Sequence, residues 1–261
     1  NGGLRLTTRQ SIQYHGVLKQ KMKDLIKGIH ESMLSTICAC GDVVRNVTQA
    51  PNPLGDPELA KLDEPSDLIS DHFAARSNAY VEIWLDGERV DPQSEEEDPI
   101  YGTNYLPRKF KIAVTRAGDS SVDLFTNDLA LAATFENGEI TGYHYYVGGG
   151  LGKNHRNAKT YPRLDSHLGW SSADQMIQVC EGVIAVQKEF GDRKDRKHAR
   201  LKYLLEDRGL DWFRSEVEKR TGFSLDQKDE PAWNFVDYLG WHERSDGSLS
   251  FGLHILSGRI I

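Results

Sequence analysis

From Leu4 to His15 the chain reads LRLTTRQSIQYH, and at the two-residue period of a strand its side chains fall into two sets. Leu4, Leu6, Thr8, Gln10, Ile12 and Tyr14 share one face, and Arg5, Thr7, Arg9, Ser11, Gln13 and His15 share the other. The pattern predicts one extended segment ending at Gly16. Its second face fits a solvated side of an antiparallel sheet. It also fits a row of donors laid along a polyanion, because guanidinium forks bind carboxylates and phosphates through paired hydrogen bonds.

Helical spacing follows. Met22, Leu25, Ile26, Ile29 and Met33 recur with lysines opposite, predicting an amphipathic helix packed on the sheet. Ser35 to Thr48 reads as extended again and delivers Arg45 and Asn46; Arg45 is either a ligand or a surface residue paired with Asp42. Cys38 and Cys40 alternate on one side of this run, as buried, inert thiols would. Pro51, Pro53, Gly55 and Pro57 then mark a boundary, with Pro57 near the start of a helix. A strand is predicted over Ala79 to Leu85. An exposed, mobile loop is predicted over Asp91 to Pro99, which holds Glu95, Glu96, Glu97 and Asp98.

In YLPRKFKIAV, Phe110, Ile112 and Val114 alternate with Lys109, Lys111 and Ala113, so a strand here would point both lysines to one side. Such a pair is either solvated or projects into a cavity, where mutual repulsion calls for a counter-charge. LALAATF and EITGYHYYV flank Glu136-Asn137-Gly138 and predict a hairpin, because Asn-Gly supplies the positive φ angles of a tight turn. Gly148, Gly149, Gly150 and Gly152 lack the GxGxxG spacing, but such a run lets a flat ligand or another backbone approach closely. A helix is predicted from Ser171 or Ser172, capped by Gln175, with Met176, Ile177, Val179, Cys180, Val183, Ile184 and Val186 inward and Gly191 as its stop. Arg193, Lys194, Arg196, Lys197, Arg200 and Lys202 then lead into a helix through Leu205, and this basic run suits solvent, a polyanion or an acidic protein partner. A helix over Trp212 to Lys219 and an alternating strand, SLSFGLHIL, close the pattern.

Composition narrows the classes. The chain has 261 residues, 38% of them hydrophobic, enough for a substantial core, and no apolar run approaches a membrane span. A net charge of −7 argues against a general nucleic-acid binder, although the cations are bunched. Three cysteines without a CxxC pair fit a reducing compartment better than secretion. The chain begins at Asn1 rather than methionine, which suggests a piece of something longer with any targeting segment out of view. The fold class expected is α+β, with antiparallel sheets flanked by helices. The residues alone point to binding of something anionic by Arg5, Arg9, Arg45, Lys109, Lys111 and the basic run near Arg196.

Five motifs, LRLTTRQSIQYHG, ACGDVVRNV, YGTNYLPRKFK, YYVGGGLG and DRKDRKHARLKY, resemble in order and spacing those of the sirohaem sulfite and nitrite reductases. The likeness is to the branch that includes ferredoxin-dependent sulfite reductases, and it extends from Gly3 to Ile261. It implies the first half of a pseudo-twofold fold. Residues 1–50 would belong to an N-terminal ferredoxin-like half-domain, 51–99 to a connecting segment, 100–235 to a central sirohaem-binding domain, and 236–261 to the start of the second half-domain. It also implies sirohaem coupled to a [4Fe–4S] cluster, six-electron reduction of sulfite to sulfide, and an electron donor that is a ferredoxin or a flavoprotein reductase. A cytoplasmic location would follow, or the plastid stroma in a photosynthetic eukaryote, with no membrane or nucleic-acid partner. By the same resemblance Arg45, Lys109 and Lys111 would hold the substrate. Arg5, Thr7, Arg9, Gln13, His15, Asn46, Arg108, Gly149, Gly150, Lys197 and Arg200 would contact the sirohaem.

Three departures qualify the match. The Cys-x5-Cys and Cys-x3-Cys pairs that ligate the family's cluster are absent, so no metal ligand is expected in this chain. A further substrate-pocket arginine would lie before Asn1, and Gly41 stands where some relatives have asparagine. The second pocket lysine is retained as Lys111 where nitrite reductases typically carry asparagine, which favours sulfite over nitrite.

Overall fold

A computed structural model describes residues 2–76, 84–86, 88–89, 97–235 and 237–260. Along the first part run β1 (Gly3–Leu6), β2 (Ile12–His15), α1 (Met22–Glu31), β3 (Thr48–Gln49), α2 (Pro57–Ala60), α3 (Asp63–His72), β4 (Trp84–Leu85) and β5 (Glu88–Arg89). Then come β6 (Ile112–Arg116), β7 (Leu129–Glu136), β8 (Glu139–Val147), β9 (Ser166–Ser172), α4 (Met176–Phe190), α5 (Leu201–Arg208), α6 (Leu210–Thr221), β10 (Gly240–Glu243), β11 (Leu249–Gly252) and β12 (Arg259–Ile260). The class is the mixed one expected, with helices against mixed and antiparallel sheets.

The central sheet has the order β3-β6-β7-β8-β9, parallel between β3, β6 and β7 and antiparallel beyond. Asn137 (φ 52°) and Gly138 (φ 78°) make the expected turn of the β7–β8 hairpin, since a two-residue turn of this hand needs both φ angles positive. Alternation then sorts the faces. Leu129, Leu131, Tyr143, Tyr145 and Val147 share the main core with Val179, Cys180, Val183 and Val186 of α4. Ala130, Ala132 and Tyr146 form a smaller cluster with Leu124 on the other side, packed by Phe125 and Trp233. Asp56 caps α2 by accepting from the Glu58 and Leu59 amides, with Pro57 in the first turn, and Leu59, Leu62, Ile69 and Phe73 carry this stretch into the main core.

Several local expectations are corrected. Leu4 to His15 is not one strand: β1 and β2 pair antiparallel, Leu4 opposite Tyr14 and Arg5 opposite Gln13, around a turn closed by Gln10 N–H to Thr7 O (3.0 Å). Pairing 4 with 14 preserves parity, so a five-residue loop leaves the two-residue alternation unbroken and periodicity cannot reveal the turn. β12 adds to the other side of β1. α1 forms as expected but buries only Ile29, with Met22 exposed. Residues 35–47 are turns and bends rather than a strand, tied to the core by a bridge between Val44 and Phe110, and Cys40 is exposed with Cys38 partly buried. Lys109 and Lys111 lie in the loop before β6, not on a strand face.

Ser172 and Gln175 bond side chain to side chain across the 3-10 turn of residues 173–175 instead of capping the helix amides. Gly191 ends α4 with extended backbone (φ −64°, ψ 145°). A side chain there would meet Gln187 O at 2.6 Å, so close approach rather than a left-handed cap calls for glycine. The closing strand is shorter than expected, β11 stopping at Gly252. The strand expected over 79–85 lies mostly outside the described residues, as do Glu95 and Glu96. Among the described residues no helix is long and apolar enough to cross a membrane.

Candidate anion-binding site

The site is built around two side chains that the sequence motifs did not single out, Asn127 and Asp128, at the entry to β7. Both are buried, so their polar atoms need internal partners. The Asp128 carboxylate accepts from Arg200 Nε (2.9 Å) through Oδ1, with Arg200 Nη2 ion-paired to the same oxygen (2.8 Å), and from the Lys111 amide (2.9 Å) through Oδ2. Asn127 Oδ1 accepts from Arg9 Nη1, and its carbonyl accepts from the Gly149 amide (2.7 Å). Four sequence-predicted site residues, Arg9, Lys111, Gly149 and Arg200, thus converge on one dipeptide from four distant segments.

Arg9 reaches this point because it sits in the β1–β2 turn, not on a strand. Its guanidinium also donates to the Thr48 hydroxyl (3.1 Å) and to the carbonyls of Ile112 (2.9 Å) and Asn46, while its Nε is buried without a partner among the described residues. Burial pushes its pKa down to about 10, with Asp128 opposing and Arg200 adding to the shift. The Lys111 ammonium is pushed down to about 8 by burial, Arg200, Arg9 and Lys109, against the pull of Asp128. Lys109 is lowered by burial and by Arg200, Arg45 and Arg108, again with Asp128 opposing. Neither ammonium has a hydrogen-bond or ion-pair partner among the described residues. Arg200 is disfavoured by burial, but Asp128 and Asp165 outweigh this and hold its pKa above the ordinary value. The carboxylate oxygens of Asp165 are buried, and burial and Asp128 push its pKa well up. Six cations, Arg9, Arg45, Arg108, Lys109, Lys111 and Arg200, therefore act on one another near the Asp128 carboxylate. Such an imbalance is relieved by a bound anion.

The other expected residues take different places. Arg45 does not pair with Asp42: its guanidinium donates to the carbonyls of Ala39 (2.6 Å) and Gly41 (3.1 Å), and Asp42 is held by both amino groups of Arg196 (2.6 and 2.9 Å). Asn46 clamps the Arg9 turn, donating to the Arg9 carbonyl, and Thr7 accepts the Arg9 amide (3.3 Å). Gly149 and Gly150 are buried against the protein itself. A side chain at Gly149 would meet Phe125 O at 2.4 Å, and one at Gly150 would meet the Arg200 guanidinium at 3.0 Å. Arg5, Gln13 and His15 lie exposed on the β12-β1-β2 sheet, where Arg5 stands opposite Arg259 and, with His15, lines a cavity of about 320 Å³. Lys197 is exposed. The basic run is only partly a solvated face: Arg193 binds the carbonyls of Asn104 and Tyr105. Lys202, 2% exposed, donates to the carbonyls of Gly150 (3.1 Å), Gly152 (3.0 Å) and Tyr161.

Among the described residues no group of three or more His, Cys, Asp or Glu could hold a metal, and Cys180 is buried within α4, its thiol pushed up by burial. The sequence signal for Asn127 and Asp128 was present but slight: a polar pair directly before the apolar run LALAATF.

Fold and site define a mixed α/β protein with a cationic site drawn from several segments. Residues 64–225 match the model of the nitrite and sulphite reductase 4Fe-4S domain, and the chain belongs to the nitrite and sulphite reductase family. It is 42% identical, over 98% of its length, to the hemoprotein beta-component of an NADPH sulfite reductase from Staphylococcus carnosus, covering 45% of that protein. It is 43% identical to a ferredoxin sulfite reductase from Synechococcus elongatus, with all of this chain and 45% of that protein covered. The fold is similar to that of the Mycobacterium tuberculosis NirA protein, with a TM-score of 0.73 at 24% identity over 99% of this chain and 42% of that one. The chain spans about half the length of the curated relatives it matches.

Proposed function

We propose that this chain forms the sirohaem- and sulfite-binding part of an assimilatory sulfite reductase, which reduces sulfite to sulfide with six electrons. The observation that carries the reading is the clustering of six cations near the Asp128 carboxylate, with the Lys109 and Lys111 ammonium groups unpartnered among the described residues. The relatives named as sulfite reductases support the choice of reaction.

A polycarboxylate macrocycle suits this donor set. Arg9 presents a buried, unpartnered Nε, and Arg108 carries a cation with no carboxylate bonded to it among the described residues. Arg5, Arg9, Gln13, His15, Arg108, Lys197 and Arg200 would hold the sirohaem, with Thr7, Asn46, Gly149 and Gly150 fixing the shape around them. The [4Fe–4S] cluster finds no matching ligand set among the described residues, so no step is assigned through it. Bound sirohaem would supply the iron at which electrons reach the sulfur.

The chain's own residues hold the dianion and move protons. Arg45 and Lys109 stabilise negative charge on the sulfite oxygens. Lys111, at about 8, gives up a proton far more readily than an ordinary lysine and is placed in pKa to protonate an oxygen that leaves as water. Electrons would come from a ferredoxin or an NADPH-linked flavoprotein, and the unpaired cysteines fit a cytoplasmic setting. Steady-state assays of the full-length protein with sulfite and nitrite test the reading. Sulfide formation with the higher specificity constant for sulfite is expected; a much higher constant for nitrite, with little sulfide, would refute it.

A further inference from the structure

Every cation of the site is a candidate ligand group, but the residue that links them is an acid. Asp128 is 0% exposed and, among the described residues, is the only carboxylate bonded to Arg9, Arg45, Arg108, Lys109, Lys111 or Arg200. Its two oxygens do different work. Oδ1 takes two nitrogens of Arg200, whose guanidinium lies against Gly150 and donates to Gly149 O (3.1 Å). Oδ2 takes the Lys111 amide, and the Asp128 and Leu129 amides both return bonds to Lys111 O (3.0 and 3.1 Å). The main chain of Lys111 is therefore gripped on both sides by the start of β7, which fixes where its side chain departs.

We propose that Asp128 is the positioning residue of the anion site, the carboxylate that orients Arg200, fixes the Lys111 main chain and sets the charge Lys111 presents to an anion. This rests on the reading of the cluster as an anion site. Around Lys111 stand Arg9 from the β1–β2 turn, Lys109 from its own loop, Arg200 from the entry to α5, and Asp128. Asp165, from the loop before β9, faces Asp128 and Arg200, with Arg163 beside it, and its carboxyl is pushed up by burial. Lys202 interacts with Arg200 and Asp128 from α5. Asp128 is thus the one nearby group whose charge favours the ammonium form of Lys111. Without it, three cations and burial all act in the same direction.

Competitive labelling of Lys111 with trace acetic anhydride, read by peptide mass spectrometry on the purified full-length protein over a pH series of about 6 to 11, gives the midpoint of its titration. The wild-type midpoint is expected near 8. In Asp128→Asn, which keeps the shape and one acceptor, the midpoint should fall by about one unit or more, the usual effect of losing an opposite charge at close range. A merely structural role would open the site and move the midpoint up toward the ordinary lysine value of 10.5, and either that rise or no change overturns the proposal. The double variant Asp128→Asn/Arg200→Gln removes the pair together and leaves neither charge buried alone, so it serves if the single variant does not fold. Arg200 is the larger of the two charges acting on Lys111, so the comparison is with Arg200→Gln, below whose midpoint the double variant should fall by about one unit; an equal or higher midpoint overturns the proposal. No substrate enters the measurement. A lowered midpoint in a protein that fails to reduce sulfite would leave this proposal standing and remove only the substrate assignment.

Discussion

Replacing Lys111 by methionine keeps most of the side chain's volume and removes its charge, so the pH dependence of sulfite binding isolates what that charge contributes. The sign follows from the environment. Burial, Arg200 and Arg9 place the free-site ammonium at about 8, so Lys111 is a cation below that pH and neutral above it. Its contribution to anion binding is therefore complete below about 8 and lost as pH rises through that value. A charge-assisted contact of about 1.5–3 kcal/mol corresponds to roughly a tenfold to 150-fold difference in affinity between wild type and Lys111→Met at neutral pH. One pH unit above the midpoint only about a tenth of the free sites keep the proton, so the ratio should drop about tenfold. Taking the ratio of the two proteins cancels the ionisation of sulfite itself. Sulfite dissociation constants for both full-length proteins, measured on either side of the midpoint, decide the matter. A ratio that stays constant across it would show that Lys111 does not titrate in the site or does not touch the anion.

Arg45→Ala should lose sulfite affinity and turnover by about thirtyfold to a hundredfold, for a contact of roughly 2–3 kcal/mol, while sirohaem absorbance stays largely intact. Normal sulfite kinetics in the purified variant would remove Arg45 from the pocket. Arg9→Met strips partners from Thr48, Asn127 and Ile112 O, which should cost roughly 2–4 kcal/mol after the relief of burying a cation among neutral acceptors. Hydrogen exchange at the Thr7 and Gln10 amides should speed up while the β7–β8 amides hold; equal acceleration in both would count against the anchoring role. Asp165 has a raised pKa in the folded state, so it withdraws stability as pH climbs above the ordinary carboxylate range. Asp165→Asn should therefore gain on wild type in thermal melts as pH climbs above the ordinary carboxylate range, and a difference flat in pH would contradict a raised carboxyl pKa.

What the sequence determined by itself is what depends on near neighbours. Asn137-Gly138 dictated the β7–β8 turn because few other pairs accept two positive φ angles. The spacing of Val179, Cys180, Val183 and Val186 dictated a buried helix face, and Cys180 as interior followed from it. The same local rule failed at Leu4 to His15, since parity survives a five-residue turn; Arg9, read as one donor in a row, is instead carried by that turn to the end of the central sheet. Arg196 and Lys202, alike as members of a basic run, were separated by packing into a surface partner of Asp42 and a buried clamp on Gly150, Gly152 and Tyr161. Asn127 and Asp128 could be chosen only by tertiary structure. A carboxylate becomes the hub of a site through what burial forces it to bond, and Lys111 is brought to Asp128 by the pairing of β6 with β7, Arg200 by the entry to α5, and Arg9 to the adjoining Asn127 by the β1–β2 turn.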